Sequence, residues 1–260
     1  MAAVVERRIS RAARWSRRIA SFSAVLFVMS GLGHRFGLVD TISFFWLLGI
    51  VGALAIAALC CAAWGFYRLW TRGDRGGRDS AAGALIALAV AAPFLLSAWK
   101  GVTLPSLTDI STDVVGPPQL PLAAAERTGA MNMIALPTPE DAELQLETYP
   151  GVIGRRYEVA PDLVIQAILK LAKDRGWTVR GDPQLAEGQS EITIEIVAYT
   201  FFLGFPVDVA VRVTDEDAAV YVDMRSVSRW GRHDLGDNAQ RIERFLADLD
   251  VAVKGEPVAE

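Results

Sequence analysis

The sequence is poor in cysteine and histidine, the residues from which zinc sites and disulfide frameworks are built. Its only cysteines, Cys60 and Cys61, are adjacent within an apolar run, and it has two histidines in 260 residues. This spacing fits neither a zinc site nor a disulfide-stapled fold. We therefore expect no metal centre, and cysteine usage does not indicate a redox compartment.

Common enzyme signatures are also missing. The sequence has no Gly-x-Ser-x-Gly, no phosphate-binding Walker loop, no His-Glu-x-x-His and no cysteine set as a nucleophile. Charged residues make up only 22% of the chain and hydrophobic residues 52%, which excludes a disordered protein. No cofactor is predicted.

Charge is divided unevenly along the chain. Residues 1–103 carry 12 Lys and Arg against 4 Asp and Glu, whereas residues 104–260 carry 14 against 26. The composition changes near residue 103, which indicates a boundary there. The acidic second part excludes nucleic acid as a partner, because neutralising phosphates needs a basic surface.

Three uncharged stretches, of 15, 27 and 20 residues, lie within the first part: residues 19–33, 41–67 and 80–99. A transmembrane helix needs about 20 apolar residues. The second and third stretches are long enough, and Arg17 and Arg18 can extend the first by snorkelling. The sequence therefore predicts that residues 1–103 form a membrane anchor of three transmembrane helices. None of the three contains an acidic or histidine residue that would indicate an ion path.

Arginine placement predicts the orientation of this anchor. Arg35 is the only arginine between the first and second stretches. Ten arginines precede the first stretch or separate the second from the third: Arg7, Arg8, Arg11, Arg14, Arg17, Arg18, Arg68, Arg72, Arg75 and Arg78. Basic loops stay in the cytoplasm. We expect a multi-pass protein of the bacterial inner membrane, with a cytoplasmic amino terminus and a periplasmic, extracytoplasmic carboxyl domain. The alternative, a cleaved twin-arginine export signal at Arg17 and Arg18, lacks a small-residue cleavage site.

Beyond the anchor, the fold class predicted is α+β. Residues 104–150 hold 7 of the 12 prolines without a persistent period, which predicts a Pro-rich connector. Residues 151–260 predict a domain with a helix from Pro161, strands near 177–179, 191–196, 207–213 and 220–225, and a helix from Asp237. Alternation in the strands predicts an antiparallel sheet with helices on one face and solvent on the other.

The densest polar stretch links the last strand to the last helix. Free N–H groups at a helix start and nearby guanidinium groups suit a carboxylate or phosphate. The alternative is structural, with Asp234 or Asp237 capping the helix and the arginines paired to acids. The candidate ligand-binding residues here are Arg225, Ser228, Arg229, Arg232, His233, Asp234, Asp237, Asn238 and Arg241.

Three further features leave alternatives open. His233 beside Asp234 or Asp237 would be the base and orienting acid of a hydrolase, although adjacent residues seldom face one another. Asp109 and Asp113 could bind a cation, do acid–base work, or make local turns and caps. The aromatic loop, residues 199–205, either folds over the core or forms a patch for a membrane or partner.

Several runs together resemble a known family. They are LTDISTD at 107–113, RRY at 155–157, GF at 204–205 and DMRSxSRxGxxDxGxNxxRI at 223–242. The chain resembles, over about residues 104–253, the bacterial and chloroplast family catalogued as domain of unknown function 1499. The resemblance implies a recurrent domain with possible site residues but no reaction. The order of helix, strands and helix is also similar to helix-grip domains, which is a likeness of fold alone.

These observations favour a non-catalytic, membrane-anchored extracytoplasmic module. Its expected partners are the lipid bilayer and either an envelope protein or an anionic, lipid-like ligand. The alternatives are a hydrolase-type enzyme using His233 and nearby acids, and a structural subunit of a membrane complex.

Overall fold

The computed structural model describes residues 8, 10–181, 183, 189–200, 202–216 and 218–255. Arg7, and Phe201 of the aromatic loop, which the sequence predictions used, lie outside this set. The chain divides into two compact units, Met1–Trp99 and Lys100–Glu260.

The first unit consists of long helices, α1 (Arg11–Arg35), α2 (Thr41–Arg72) and α3 (Gly77–Thr103). The Asp40 side chain caps α2 by accepting from the Ser43 N–H, and Gly73 ends it in a left-handed conformation. Two helices in the described part, α2 and α3, are long and apolar enough to cross a membrane, not the three predicted. In α1 the uncharged stretch rises only about 22 Å, against a hydrocarbon core of about 30 Å.

Packing among these helices places mostly small and polar side chains inside, with Phe44 as a large exception, and most large apolar ones outside. In α1, Ser16 and Ser23 are buried, whereas Phe22 and Met29 are mostly exposed. A Cβ built on Gly83 would lie 2.1 Å from Ser16 Oγ, so α1 and α3 approach almost backbone to backbone. The same pattern continues in α2 and α3, whose exposed side chains include Trp46, Ile56, Trp64, Leu85, Leu95 and Leu96.

The second unit is built on an antiparallel six-stranded sheet with strand order β1-β6-β5-β4-β3, and with β2 also paired to β6. The predicted α+β class is confirmed. The strands are β1 (Asp109–Ser111), β2 (Arg155–Tyr157), β3 (Thr178–Val179), β4 (Glu191–Tyr199), β5 (Pro206–Asp215) and β6 (Val220–Ser228). The helices are α4 (Pro121–Glu126), α5 (Pro139–Thr148), α6 (Pro161–Asp174) and α7 (Asp237–Gly255).

One face of this sheet packs on α6 and α7. Alternate residues of the strands, such as Ile194, Val211 and Met224, form one core with Ile168 of α6 and Phe245 of α7. Pro161 occupies the first turn of α6, where its missing N–H costs nothing. The predicted starts of both helices are therefore confirmed.

The opposite face differs from the prediction, because it is covered rather than exposed to solvent. Ala210 and Val227 on this face pack against Leu120 and Ala123 of the 104–150 segment. The buried Glu195 carboxylate accepts from the Leu122 and Ala123 N–H groups, at 2.9 and 2.8 Å. The segment expected as a connector thus lies in the same compact unit and supplies β1, α4 and α5.

Candidate functional site

His233 lies in the loop between β6 and α7, and both of its ring nitrogens contact backbone groups. Nδ1 accepts from the Leu235 N–H at 2.9 Å, and Nε2 lies 3.0 Å from the Leu104 carbonyl oxygen. Because a carbonyl oxygen only accepts, this pairing assigns the proton to Nε2. The Asp234 carboxylate is 3.9 Å from Nδ1, too far for a hydrogen bond that would orient the ring. Neither nitrogen is left to take a proton from a substrate.

Asp234 organises the start of α7. Its two carboxylate oxygens accept from the N–H groups of Gly236 and Asn238, each at 2.9 Å, and its own N–H donates to the Leu107 carbonyl. Burial raises the pKa of Asp234, and the two N–H groups oppose that shift. Gly236 has a φ of 77° and sits so close to Leu104 that a Cβ would come within 2.9 Å of it. In this part of the loop Asp234 therefore caps α7, which was the structural alternative to a ligand site.

A buried polar network joins α7 to the helix-covered face of β6. The Asn238 amide donates to Ser228 Oγ at 3.0 Å, while its oxygen accepts from Ser226 Oγ at 2.9 Å and from Arg241 at 2.8 Å. Arg241 also lies 3.3 Å from Asp237, one turn before it. Burial lowers the pKa of Arg241, opposed by Asp237. These contacts engage four of the candidate ligand residues, Ser228, Asp237, Asn238 and Arg241, within the protein.

Arg225 points to the other face of β6 and is fully buried there. Its Nε and one terminal nitrogen form a two-point contact with the Asp109 carboxylate, at 2.9 and 2.6 Å. The same guanidinium donates to the carbonyls of Pro118 and Ala135. Burial raises the pKa of Asp109 and Arg225 opposes the shift. This pair attaches residues 104–150, which we call the covering segment, to the sheet. Asp109 is therefore not available as a cation ligand.

A three-arginine cluster, which we define as Arg127, Arg180 and Arg229 around the buried Asp208, lies further along the covered face. The closest contacts of the Asp208 carboxylate are 2.6 Å to Arg127, 2.8 Å to Arg180 and 2.7 Å to Arg229. Arg180 also contacts Glu126 at 2.7 Å, a carboxylate that is more than half exposed. The three arginines come from the covering segment, the end of β3 and the end of β6, so the cluster joins all three.

Positive charge exceeds negative charge in this cluster, with three guanidinium groups against two carboxylates. Burial acts to raise the pKa of Asp208, but Arg229, Arg180 and Arg127 together hold it below the usual value. Burial lowers the pKa of Arg127. Among the described residues, Nε of Arg127 is buried without a hydrogen-bond acceptor. The cluster therefore has more donors than its two acids satisfy.

Asp113 belongs to a separate ion pair at the far side of the covered face. Arg212 lies 2.8 Å from both Asp113 and Asp223, and it donates to the Gly116 carbonyl. The other Asp113 oxygen accepts from the Val115 and Gly116 N–H groups, which closes a local turn. Although burial opposes it, the pKa of Asp113 is lowered by these N–H groups and by Arg212. Asp113 therefore makes the local turn that was one alternative, whereas Asp109 forms an ion pair with the distant Arg225.

The structure does not bring the four arginines of the predicted site together. Arg225 and Arg229 lie on the covered face with different acids, whereas Arg241 belongs to α7, on the opposite face of the sheet. Arg232 is exposed in the loop. Strand geometry separates Arg225 from Arg229, because positions four apart along a strand are about 13 Å apart. Ser228, Asp234, Asp237 and Asn238 are engaged as described above.

Sequence analysis missed Asp208, Arg127 and Arg180, which form the most charged site of the unit. One signal was present, since Asp208 is the only polar residue in the first half of β5, between Val207 and Val209. An acid at such a position has to find a cation if its face is covered. The two arginines lie 81 and 28 residues from it, so no local spacing could indicate them.

No group of three or more His, Cys, Asp or Glu residues in the described part of the chain could hold a metal ion. No curated protein and no solved structure matches the chain. A family model described as a protein of unknown function, DUF1499, matches residues 109–249, a span from β1 to the middle of α7. This span covers more than half of the chain and contains the paired aspartates, the three-arginine cluster and the loop of His233. The chain therefore belongs to the DUF1499 family.

Proposed function

We propose that the protein is a membrane-anchored, non-catalytic binding module. Its first unit is a three-helix membrane anchor, and its second unit meets an anionic ligand or partner outside the cytoplasm. One observation carries the proposal, the placement of large apolar side chains on the outside of the first unit and of serines inside it. A helical bundle in water has the reverse arrangement, whereas membrane helices pack through small and weakly polar residues.

This arrangement also supports α1 as a third membrane helix, despite its modest hydropathy. Its polar residues Ser16, Ser23 and Ser30 face the other helices, and Ser23 donates to the Val51 carbonyl of α2 at 3.0 Å. Its outward positions Phe22, Val25, Val28 and Met29 are mostly exposed. The arginines at its start can reach the interface by snorkelling. Average hydropathy counts the inward serines and thus understates the face that would meet lipid.

The basic segments of the first unit lie at one end of the bundle. Arg75, in the α2–α3 loop, exchanges backbone hydrogen bonds with Arg8 and Ser10 of the leader. Arg17 of α1 contacts Asp79 at the start of α3 at 3.2 Å. Because arginine-rich loops remain in the cytoplasm, three crossings place the second unit outside it.

A catalytic role has less support than a binding role. His233, the base of the alternative hydrolase, has both ring nitrogens engaged with backbone groups, and Asp234 caps a helix instead of orienting it. The two acids considered for acid–base work, Asp109 and Asp113, are neutralised by arginines. The charged residues outside the membrane serve chiefly to hold a covered sheet together.

Reporter fusions test the anchor and its orientation. An enzyme that is active only outside the cytoplasm should be active when fused after Glu260 and silent when fused after Gly76. Resistance of the native chain to extraction from membranes by alkaline carbonate tests insertion independently. An active fusion at Gly76 with a silent fusion at Glu260 would show that the orientation is the reverse of the one proposed. Extraction of the chain by carbonate would show that it is not inserted in the membrane.

A further inference from the structure

One exposed side of α1 changes in character along its length. Spacings of three, four and seven residues put side chains on the same side of a helix. At the start of α1 this spacing holds for three arginines and a tryptophan, and further along the same side carries large apolar residues. We call the following six exposed residues the α1 stripe: Arg11, Arg14, Trp15, Arg18, Phe22 and Met29. The α1 stripe is thus basic at its start and apolar beyond Arg18.

The positive charge of the α1 stripe is not neutralised by neighbouring acids. In the described part of the first unit, the acids near the start of α1 are Asp74 and Asp79. Asp74 is buried beside Arg68 at 3.0 Å, and Asp79 contacts Arg17 at 3.2 Å. Both acids are therefore matched by arginines outside the stripe, and the exposed arginines of the stripe keep their charge.

Contacts on the other sides of α1 hold the stripe in place. Ser10 caps α1 through its side chain, and its N–H donates to the Arg75 carbonyl in the α2–α3 loop at 2.8 Å. On the side opposite the stripe, Ala20 packs with Ala58 of α2 and Ala87 of α3. The stripe therefore faces away from the other two helices at a fixed angle.

The lengths of the basic and apolar parts match the layers of a bilayer. Arg14 and Arg18 are about 6 Å apart along the helix axis, and each headgroup layer is about 5–8 Å thick. From Arg18 to Met29 the helix rises about 16 Å, close to the 15 Å or so of half the hydrocarbon core. The Arg18 guanidinium lies 5.9 Å from the centroid of the Trp15 ring, and tryptophan is favoured at the boundary between these layers. A phospholipid molecule spans the same two layers.

We propose that the α1 stripe binds an anionic phospholipid of the leaflet in which α1 begins. The proposal rests on the proposed anchor and adds a lipid ligand for its first helix. Arg14 and Arg18, one turn apart, contact the headgroup phosphate, and the acyl chains lie along Phe22 and Met29. Guanidinium groups suit phosphate oxygens, and each basic residue near an anionic surface favours binding about fivefold. A zwitterionic lipid, whose headgroup also carries a cation, binds less well.

Site-specific photocrosslinking of the full chain tests this lipid site. A benzophenone amino acid replaces Phe22 or, as the control, Leu88, which is exposed on α3 and lies equally far from the start of its helix. Each protein is reconstituted in vesicles of equimolar phosphatidylglycerol and phosphatidylcholine, and mass spectrometry identifies the lipid attached on irradiation. We expect phosphatidylglycerol adducts to exceed phosphatidylcholine adducts at least about fivefold at position 22 and to equal them at position 88.

Charge removal supplies the second arm. Arg14→Gln combined with Arg18→Gln should lower the lipid ratio at position 22 to that at position 88. Arg72→Gln combined with Arg78→Gln removes the same charge from exposed positions outside the stripe and should leave the ratio at position 22 unchanged. An equal loss in both double variants would overturn the lipid site, in favour of a field shared by all the arginines at this end of the bundle.

The remaining outcomes separate the lipid site from the anchor. Equal lipid ratios at positions 22 and 88 when all arginines are present, with lipid attached at both, would overturn the lipid site and leave the anchor intact. Attachment of position 22 to protein instead of lipid would also overturn it, in favour of a protein contact on this side of α1. Absence of lipid adducts at both positions, together with extraction of the chain by carbonate, would instead refute the proposed anchor.

Discussion

At the scale of single residues, Asp208 forms more ion pairs than any residue selected from the sequence. It is fully buried and contacts three guanidinium groups. Asp208→Asn keeps the shape of the side chain but removes the charge, and leaves buried arginines without their counterion. We expect the free energy of unfolding to fall by about 3–5 kcal/mol. Thermal unfolding of the detergent-solubilised chain, followed by near-UV circular dichroism, measures it.

The matched control is Asp248→Asn, because Asp248 pairs with Arg175 but is more than half exposed. Its removal should cost less than about 1 kcal/mol. Equal effects of the two variants would show that the three-arginine cluster contributes no more than a surface ion pair.

The pH dependence of Asp208 has a definite sign. Its pKa is lower in the folded chain than in the unfolded one, so its ionised form contributes stability above the unfolded pKa of about 3.9. That contribution is lost as the pH falls through the folded pKa. The difference between wild type and Asp208→Asn should thus be constant from neutral pH down to about pH 4 and shrink below it. A difference that grew on acidification would contradict the charge assignment.

At the scale of helices and strands, the close approach of α1 and α3 depends on Gly83. A Cβ there would also lie 2.8 Å from the backbone of Ser16 and Arg17, atoms that cannot rotate away. Gly83→Val should force the helices apart and lower stability by about 1–3 kcal/mol. Gly49→Val in α2 is the control, because nothing lies within 4 Å of that position. Thermal unfolding in detergent measures the stability of the two variants. An equal loss of stability in both would mean that α1 does not pack against α3 as described.

Elements with a strong local pattern were predictable, and those defined by distant contacts were not. Alternation located β4, β5 and β6, and Pro161 marked the start of α6. The covering segment has no such pattern, since Leu120 and Ala123 become core residues only against Ala210 and Val227. For the same reason the capping role of Asp234 was predictable as one alternative, whereas the partner of each arginine depended on what covered its strand.

At the scale of the whole molecule, the covering segment should be necessary for the second unit to fold. Without residues before 151 the sheet would lose β1 and expose Ala210 and Val227, and Arg225 would lose Asp109. We expect a fragment of residues 100–260 to melt cooperatively and one of residues 151–260 to show no cooperative transition. Differential scanning calorimetry distinguishes the two. A sharp transition in the shorter fragment would mean that the segment is dispensable.

The pairing of β1 with β6 also determines when the second unit can fold during its synthesis. Asp109 pairs with Val227, 118 positions later in the chain. At about 5–20 residues per second, β1 waits roughly 6–24 seconds after its synthesis before its partner strand exists. During that interval the covering segment has no sheet to cover, and its apolar residues are accessible to chaperones and proteases. Folding of the second unit can therefore finish only after β6 has been made.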